Sequence, residues 1–560
     1  MIKYPSDYNP ILEYWERIES GQETVSRKIY RTYKKLVWDI QNPGEYFYSC
    51  KRGNHVIEFI ENFCKHSKGK LAGKAVKLEL WEKAMLAAIF GFVDINGLRK
   101  YREAILIIGK KNGKSLIASC VALYMMVADG EGGPEVYAVA TKKDQAKIIW
   151  TESKRMVRKS PALRRRIKTL VAEMNSDFND GVFKPLSSDS DTLDGLNVHC
   201  VLMDEFHQWK NGRPLFDIMA DGVTAREQPL VFMTSTAGVI REDIYDDKYE
   251  ECERVINGYD DEEGYHDEHF ICFVYELDNR KEWIDEKCWV KANPGLGTIK
   301  NYDTLKAKVN KAKSNPKLVK NLVCKEFNIR ETSSGAWLNF EQIDNRETFD
   351  LAKLKPRYGI GGVDLSKTTD LTAAKVIFEV PNDNRVYVLS MYWIPEDLVE
   401  KHVNEDKVPY DIWIEQGYCR TCPGNKINPH YVTEWFLEVQ EKLDIYIYAI
   451  GYDAWSTSYW INEMQDTFGK EQMIAVYQGK KTLSQPMQAL GADLTAKRII
   501  YNNNPIDKWC LCNTAVDEDK NGNIQPIKTE KATRRIDGTA ALLDAYVVLM
   551  DKLGEYESVI

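Results

Sequence analysis

The stretch EAILIIGKKNGKSLIASCVALYMMVADG, residues 103–130, constrains this chain more than any other. It reads as a buried apolar strand, a turn rich in glycine and lysine, and a helix. In Ile108-Gly109-Lys110-Lys111-Asn112-Gly113-Lys114-Ser115 the turn ends in the GKS of a phosphate loop. Backbone N–H groups at a helix N-terminus point at a phosphate, the lysine reaches the β and γ phosphates, and the serine hydroxyl ligates magnesium. The pattern GxxxxGK[ST] is broken at its first position, where Ile108 stands and Gly109 comes one place late. The bland alternative is an ordinary strand-to-helix turn with surface lysines.

Further apolar runs follow: VYAVAT at 136–141, NVHCVLMDEF at 197–206 and PLVFMTSTAG at 229–238. Continuously apolar strands separated by helical stretches predict a parallel sheet covered on both faces, with its site beyond the carboxyl ends of the strands. CVLMDE ends in two acids, Asp204 placed to hold magnesium and Glu205 to orient and deprotonate a water. Against this stands a merely solvated strand end. Thr234, Ser235 and Thr236 end the next run in hydroxyls that could sense the γ phosphate, although Ser and Thr also form turns. Between these motifs residues 142–168 are strongly basic, either a solvated helix face or a surface that tracks phosphates.

A second α/β pattern begins at RYGIGGVDLSKTTDLTAAKVIFEV, where a strand carrying Asp364 turns and an antiparallel strand returns. VYVLSMYWIP and IYIYAIGYDA are further strands, the latter bearing Asp453, and TRRIDGTAALLDAYVVLM is a terminal helix opened by Asp537. A carboxylate in an apolar strand is costly unless something cationic faces it. Two strand-borne acids and one on a late helix suit two divalent ions about 4 Å apart, clamping the attacking and leaving oxygens of a phosphodiester. Asp370 could add a ligand. Asp544 lies seven residues beyond Asp537 on nearly the same helical face and could replace it, with Asp537 preferred.

Four segments are expected: a helical N-terminal extension over 1–55, a P-loop domain over 56–255, a linker over 256–340, and a nuclease-like domain over 341–560. At roughly 150 residues per domain, the 560 residues allow such an arrangement. The net charge of -8 argues against a generally basic nucleic-acid coat but leaves one basic groove open. No apolar stretch is long enough to span a membrane and the start lacks a signal core, so an intracellular protein without a transmembrane segment is expected. The twelve cysteines are scattered, which predicts reduced, mostly buried thiols. A zinc site built from Cys419, Cys422, Cys510 and Cys512 is conceivable, but neither pair has the usual second CxxC or paired histidines.

These motifs, in this order, resemble those of tailed-phage terminase large subunits. The resemblance rests on FIENFCKHSKGKLAGKAVKLELWEKAMLAAIFGF, IGKKNGKS, VLMDEFHQW, TSTAG, KANPGLG, GVDLSKTTDLTA, GYDAW and RRIDGTAALLDAY, and covers most of the chain. It implies an α/β, ASCE-type P-loop ATPase with a mostly parallel sheet, followed by an RNase H-like α/β nuclease with a mixed sheet. By it, ATP with Mg²⁺ is handled by residues 109–115, Asp204, Glu205 and Thr234 to Thr236. Two Mg²⁺ or Mn²⁺ ions fall to Asp364, Asp453 and Asp537. It also implies incidental cysteine pairs, double-stranded DNA as substrate, a portal protein and a small terminase subunit as partners, a homo-oligomeric ring, and work in the host cytoplasm during virion assembly. Two departures stand out: Trp81-Glu82 replaces the Trp-Gln that many relatives carry near adenine, and the trans-acting arginine finger of a ring motor is not placed by any motif, Arg226 just before the TSTAG strand being one candidate. Rival readings are a cellular helicase-nuclease, distinguished by strand separation, and a nucleotide-binding capsid scaffold, distinguished by absence of turnover.

Overall fold

The computed structural model describes residues 1–188, 195–209, 212–238, 243–261, 264–315, 318–331, 336–365, 371–406, 408–454, 458–528 and 535–560. They fall into two compact units, the first running to Arg330 and the second starting at Glu331.

In the first unit a short antiparallel pair, β1 (Phe47–Tyr48) and β2 (Phe92–Val93), precedes the main sheet. That sheet is built from β3 (Glu103–Ile107), β4 (Glu135–Ala140), β5 (Lys168–Thr169), β6 (Met174–Ser176), β7 (Gly181–Ser187), β8 (Val198–Asp204), β9 (Leu230–Ser235) and β10 (Phe270–Val274). Their order is β10-β3-β9-β8-β4-β7-β6-β5, parallel from β10 to β7 and antiparallel at the β6 and β5 edge. Alternation along each central strand explains why these strands are apolar throughout. Ala104, Leu106, Cys200, Leu202, Leu230 and Phe232 join one core, while Ile105, Ile107, Val201, Met203, Val231 and Met233 join the core on the other face. The strand β9 lies between β3 and β8, the spacing of an ASCE-type P-loop ATPase fold.

The N-terminal helices Pro10–Glu19 and Arg27–Gln41 belong to this unit, because Ile11, Tyr14, Ile29, Tyr33 and Leu36 pack into the same core as Ile271 and Phe273. The stretch expected to connect two domains also contributes to it, since β10 pairs with β3.

The second unit centres on β11 (Tyr358–Asp364), β12 (Thr372–Phe378), β13 (Val386–Pro395), β14 (Cys419–Cys422), β15 (Tyr446–Asp453), β16 (Met473–Val476) and β17 (Ile499–Ile500). β11, β12 and β13 form an antiparallel meander. β15 and β16 then run parallel to β11, and β14 and β17 run parallel to β13. This mixed sheet is the predicted RNase H-like arrangement. The helix His430–Leu443 covers one face through Val432, Phe436 and Val439, and the terminal helix Asp537–Asp551 covers the other through Leu542, Ala545 and Val548. A hairpin of β18 (Thr514–Glu518) and β19 (Ile524–Lys528) lies outside the sheet. Among the described residues no helix is long and apolar enough to cross a membrane.

Candidate functional site

Two sites form, one in each unit, at carboxyl ends of strands. In the first, Ile108 donates its N–H to Ser235 O at 3.0 Å, so the sheet persists to the start of the phosphate loop. Gly109 and Lys110 donate theirs to Ala292 O and Lys325 O, both at 3.0 Å, so these two brace the loop through their backbones. The displaced glycine now has a reason. A Cβ at Gly109 would lie 2.4 Å from Asn293 Oδ1 and 2.6 Å from Glu326 O. Lys111 (φ 72°) and Gly113 (φ 87°) then take left-handed conformations, and Gly113 caps the helix Lys114–Val127. Among the described residues no acceptor is seen for the N–H groups of Lys111, Asn112, Gly113, Lys114 and Ser115, a run of donors that suits a phosphate.

Charged side chains meet at this loop. Lys114 is ion-paired with Glu205, and its Nζ lies 3.8 Å from Asp204 Oδ1. Ser115 Oγ donates to Asp204 Oδ2 at 2.7 Å, and Thr234 Oγ1 donates to Asp204 Oδ1 at 2.8 Å. Burial works against the charge on Lys114, but Asp204 and Glu205 outweigh it and raise its pKa. Glu205 sits at φ 52°, a left-handed conformation that costs a non-glycine residue free energy and turns its carboxylate back toward the lysine. Ser235 Oγ is 2.9 Å from His207 Nδ1, and Thr236 is buried just past β9. The set of oxygens and the lysine fits a magnesium-bound triphosphate.

Several further residues meet here to which the motifs containing them gave no role in the loop. His207 Nδ1 lies 3.1 Å from Glu205 Oε2. Asn293 Oδ1 accepts from Asn112 Nδ2 at 2.9 Å and from Lys300 Nζ at 2.5 Å, and Asn293 Nδ2 donates to Glu326 O at 2.9 Å. Only the run KANPGLG hinted at this brace. Glu82 is buried with Oε1 3.6 Å from the position a Gly113 Cβ would take. Arg226, the candidate to act on a neighbouring copy, is held within its own chain. Its guanidinium donates to Glu131 Oε1 at 2.7 Å, Gly132 O at 3.1 Å, Gly133 O at 2.9 Å and Asn197 O at 3.3 Å, beside the amino ends of β4 and β8.

In the second unit Asp364 ends β11 and Asp453 ends the neighbouring parallel strand β15. Gly362 and Gly451 are register partners two residues before them, and the terminal helix lies directly on both. A Cβ would lie 2.1 Å from Ala541 O at Gly362 and 2.4 Å from Asp544 O at Gly451. This close seat carries Asp544 to the strand ends. Its Oδ1 accepts from Gln478 Nε2 at 3.0 Å, while its buried Oδ2 has no hydrogen-bond partner among the described residues. Burial, then the negative charges of Asp364 and Asp453, push the Asp544 carboxyl well above the usual range. Asp537 opens the helix as expected and is buried there. Asp544, which the sequence pattern kept as the alternative to Asp537, thus lies in the field of Asp364 and Asp453.

Asp370 lies outside the described residues. Among the described residues no three His, Cys, Asp or Glu side chains close on a single point. An orphaned buried carboxylate oxygen beside two further acids fits a hard divalent ion that keeps most of its waters and takes one or two protein carboxylates. The cysteine pairs go elsewhere. Cys419 and Cys510 share one core, Cys422 lies in a second and Cys512 in a third.

The family model "Terminase large subunit, ATPase domain" matches residues 80–254, and "Terminase large subunit, endonuclease domain" matches residues 264–552. The chain is 26% identical over 505 residues to the terminase large subunit of Enterobacteria phage HK97, covering 88% of this chain and 94% of that protein. It is 23% identical over 555 residues to the terminase large subunit of Lactococcus phage p2, covering 95% and 97%. The crystal structure of the HK97 bacteriophage large terminase is 24% identical with a TM-score of 0.47, covering 89% of this chain and 99% of that one. The two matched domains follow one another in the order of the two sites, and the chain belongs to the terminase large subunit family, with an ATPase domain followed by an endonuclease domain.

Proposed function

We propose that this chain drives double-stranded phage DNA into a procapsid by ATP hydrolysis and cuts concatemeric DNA with a separate divalent-metal nuclease. Lys114 binds the β and γ phosphates, Ser115 and Asp204 hold Mg²⁺, and Glu205 orients and deprotonates the attacking water. Thr234, Ser235 and Thr236 pass loss of the γ phosphate to the strand beside the loop. Asp364, Asp453 and Asp544 hold Mg²⁺ or Mn²⁺, with Asp537 contributing from the start of the same helix. Bound divalent ions supply water activation and stabilisation of the leaving oxygen at a phosphodiester. A portal protein, a small terminase subunit and further copies of this chain in a ring complete the machine, which works in the host cytoplasm.

The observation that carries this reading is the cluster of Lys114, Ser115, Asp204 and Glu205 at one set of strand ends. Paired assays test it. Lys114→Ala should abolish ATP turnover and leave plasmid nicking with Mg²⁺ or Mn²⁺, whereas Asp364→Ala should do the reverse. Loss of both activities in either folded variant would refute two separate engines.

A further inference from the structure

The helix Lys143–Lys159 starts directly after β4, whose neighbour β8 ends in Asp204. One face is anchored by Ala146, Ile149, Trp150, Met156 and Val157. The other exposes Lys143, Lys147, Arg155, Arg158 and Lys159, and the chain continues through exposed arginines at 164–166. Among the described residues none of these eight cations has an ion pair. Some cations elsewhere in the unit are neutralised, as Lys28 is by Glu253 and Glu276 and Arg99 by Asp129. Lys143 and Lys147, and Arg155 and Lys159, stand four residues apart, where like charges destabilise a helix, and Asp144 and Glu152 are the acids this helix sets against them. A polyanion would remove that repulsion. The 17 residues span about 25 Å, the axial length of about seven base pairs.

The same helix touches the ATP site. Gln145 Nε2 donates to Gln208 Oε1 at 3.2 Å, and Gln208 Nε2 lies 3.5 Å from Glu205 Oε2. We propose that the helix Lys143–Lys159 and the arginines after it grip the backbone of duplex DNA, and that Gln145 and Gln208 carry this engagement to Glu205. The inference rests on the packaging reading above and adds where the duplex lies and how its presence reaches the hydrolytic carboxylate. Contacts to phosphate alone make the grip independent of sequence and steeply dependent on salt.

The test is fluorescence anisotropy of short duplexes of differing sequence, in EDTA to silence cleavage, across about 50 to 200 mM salt. The variant Arg155→Ser/Arg158→Ser/Lys159→Ser should lower the slope of log affinity against log salt by about 3, equally for every duplex. An equal charge change at Lys51, Lys281 and Lys287 should leave the slope alone. A triple variant with the wild-type slope and an unaltered melting temperature overturns the surface, leaving the packaging reading intact. If the wild type binds no duplex, the packaging reading falls and takes this inference with it. At saturating duplex, Gln145→Ala should lose the stimulation of ATP turnover by DNA; stimulation equal to wild type overturns the link to Glu205.

Discussion

Glu82 shows what a single buried carboxyl does beside a phosphate loop. One oxygen accepts the N–H of Glu79 at 2.8 Å, and burial, with Glu79 and Glu61 adding, pushes the pKa up from 4.5 to about 8. The folded protein then keeps a proton that the unfolded chain releases above pH 4.5, so stability falls as pH rises from there and this contribution is gone above about pH 8. Glu82→Gln should flatten that decline by a few kcal/mol, because each tenfold change in proton affinity is worth about 1.4 kcal/mol. Urea melts of both proteins at pH 6 and pH 9 check it, and parallel changes would show that another group is responsible. At the other site, Asp544→Asn should cost about 100-fold in metal-dependent nicking, near 2.7 kcal/mol of barrier, and more than Asp537→Asn. A plasmid assay that ranks the two the other way would return the ligand role to the helix start. The difference between these aspartates was not legible in the sequence, because seven residues apart they share a helical face. What seats Asp544 near the strand ends is the neighbouring backbone, seen only once Gly362 and Gly451 are side by side. Lys114, Ser115, Asp204 and Glu205 were legible because each stands in a contiguous motif whose strand and turn determine its position.

The terminal helix is placed by contact of backbone with backbone. Gly362 and Gly451 leave no room for even a methyl group under Ala541 and Asp544. Gly362→Ala should therefore lift the helix, lower stability by about 1 to 3 kcal/mol and depress nicking strongly, while ATP turnover persists. Denaturant melts and the two activity assays check this; a variant with normal nicking would mean the helix can move without disturbing the acids. The strands were readable because continuous apolar runs have one economical home, a sheet buried on both faces. The brace of the phosphate loop was not, because Asn293, Lys300 and Glu326 come from stretches that read as connector and lysine-rich helix.

Across the whole molecule each unit builds its hydrophobic cores from its own residues. Two calorimetric transitions are expected, and ADP with Mg²⁺ should raise one of them by mass action while the other stays put. A single transition that moves as a block would show that the units unfold together. The total charge of -8, which first weighed against DNA, is compatible with a strongly basic helix because the sum does not report the local field. The brace behind the phosphate loop also decides where the chain could be divided. A fragment ending at residue 254, where the ATPase family match stops, would lack β10 and leave β3 as an exposed sheet edge. It would also strip Gly109 and Lys110 of the carbonyls that hold them. The smallest piece able to keep its nucleotide loop in shape is thus longer than its motifs suggest and extends to Arg330.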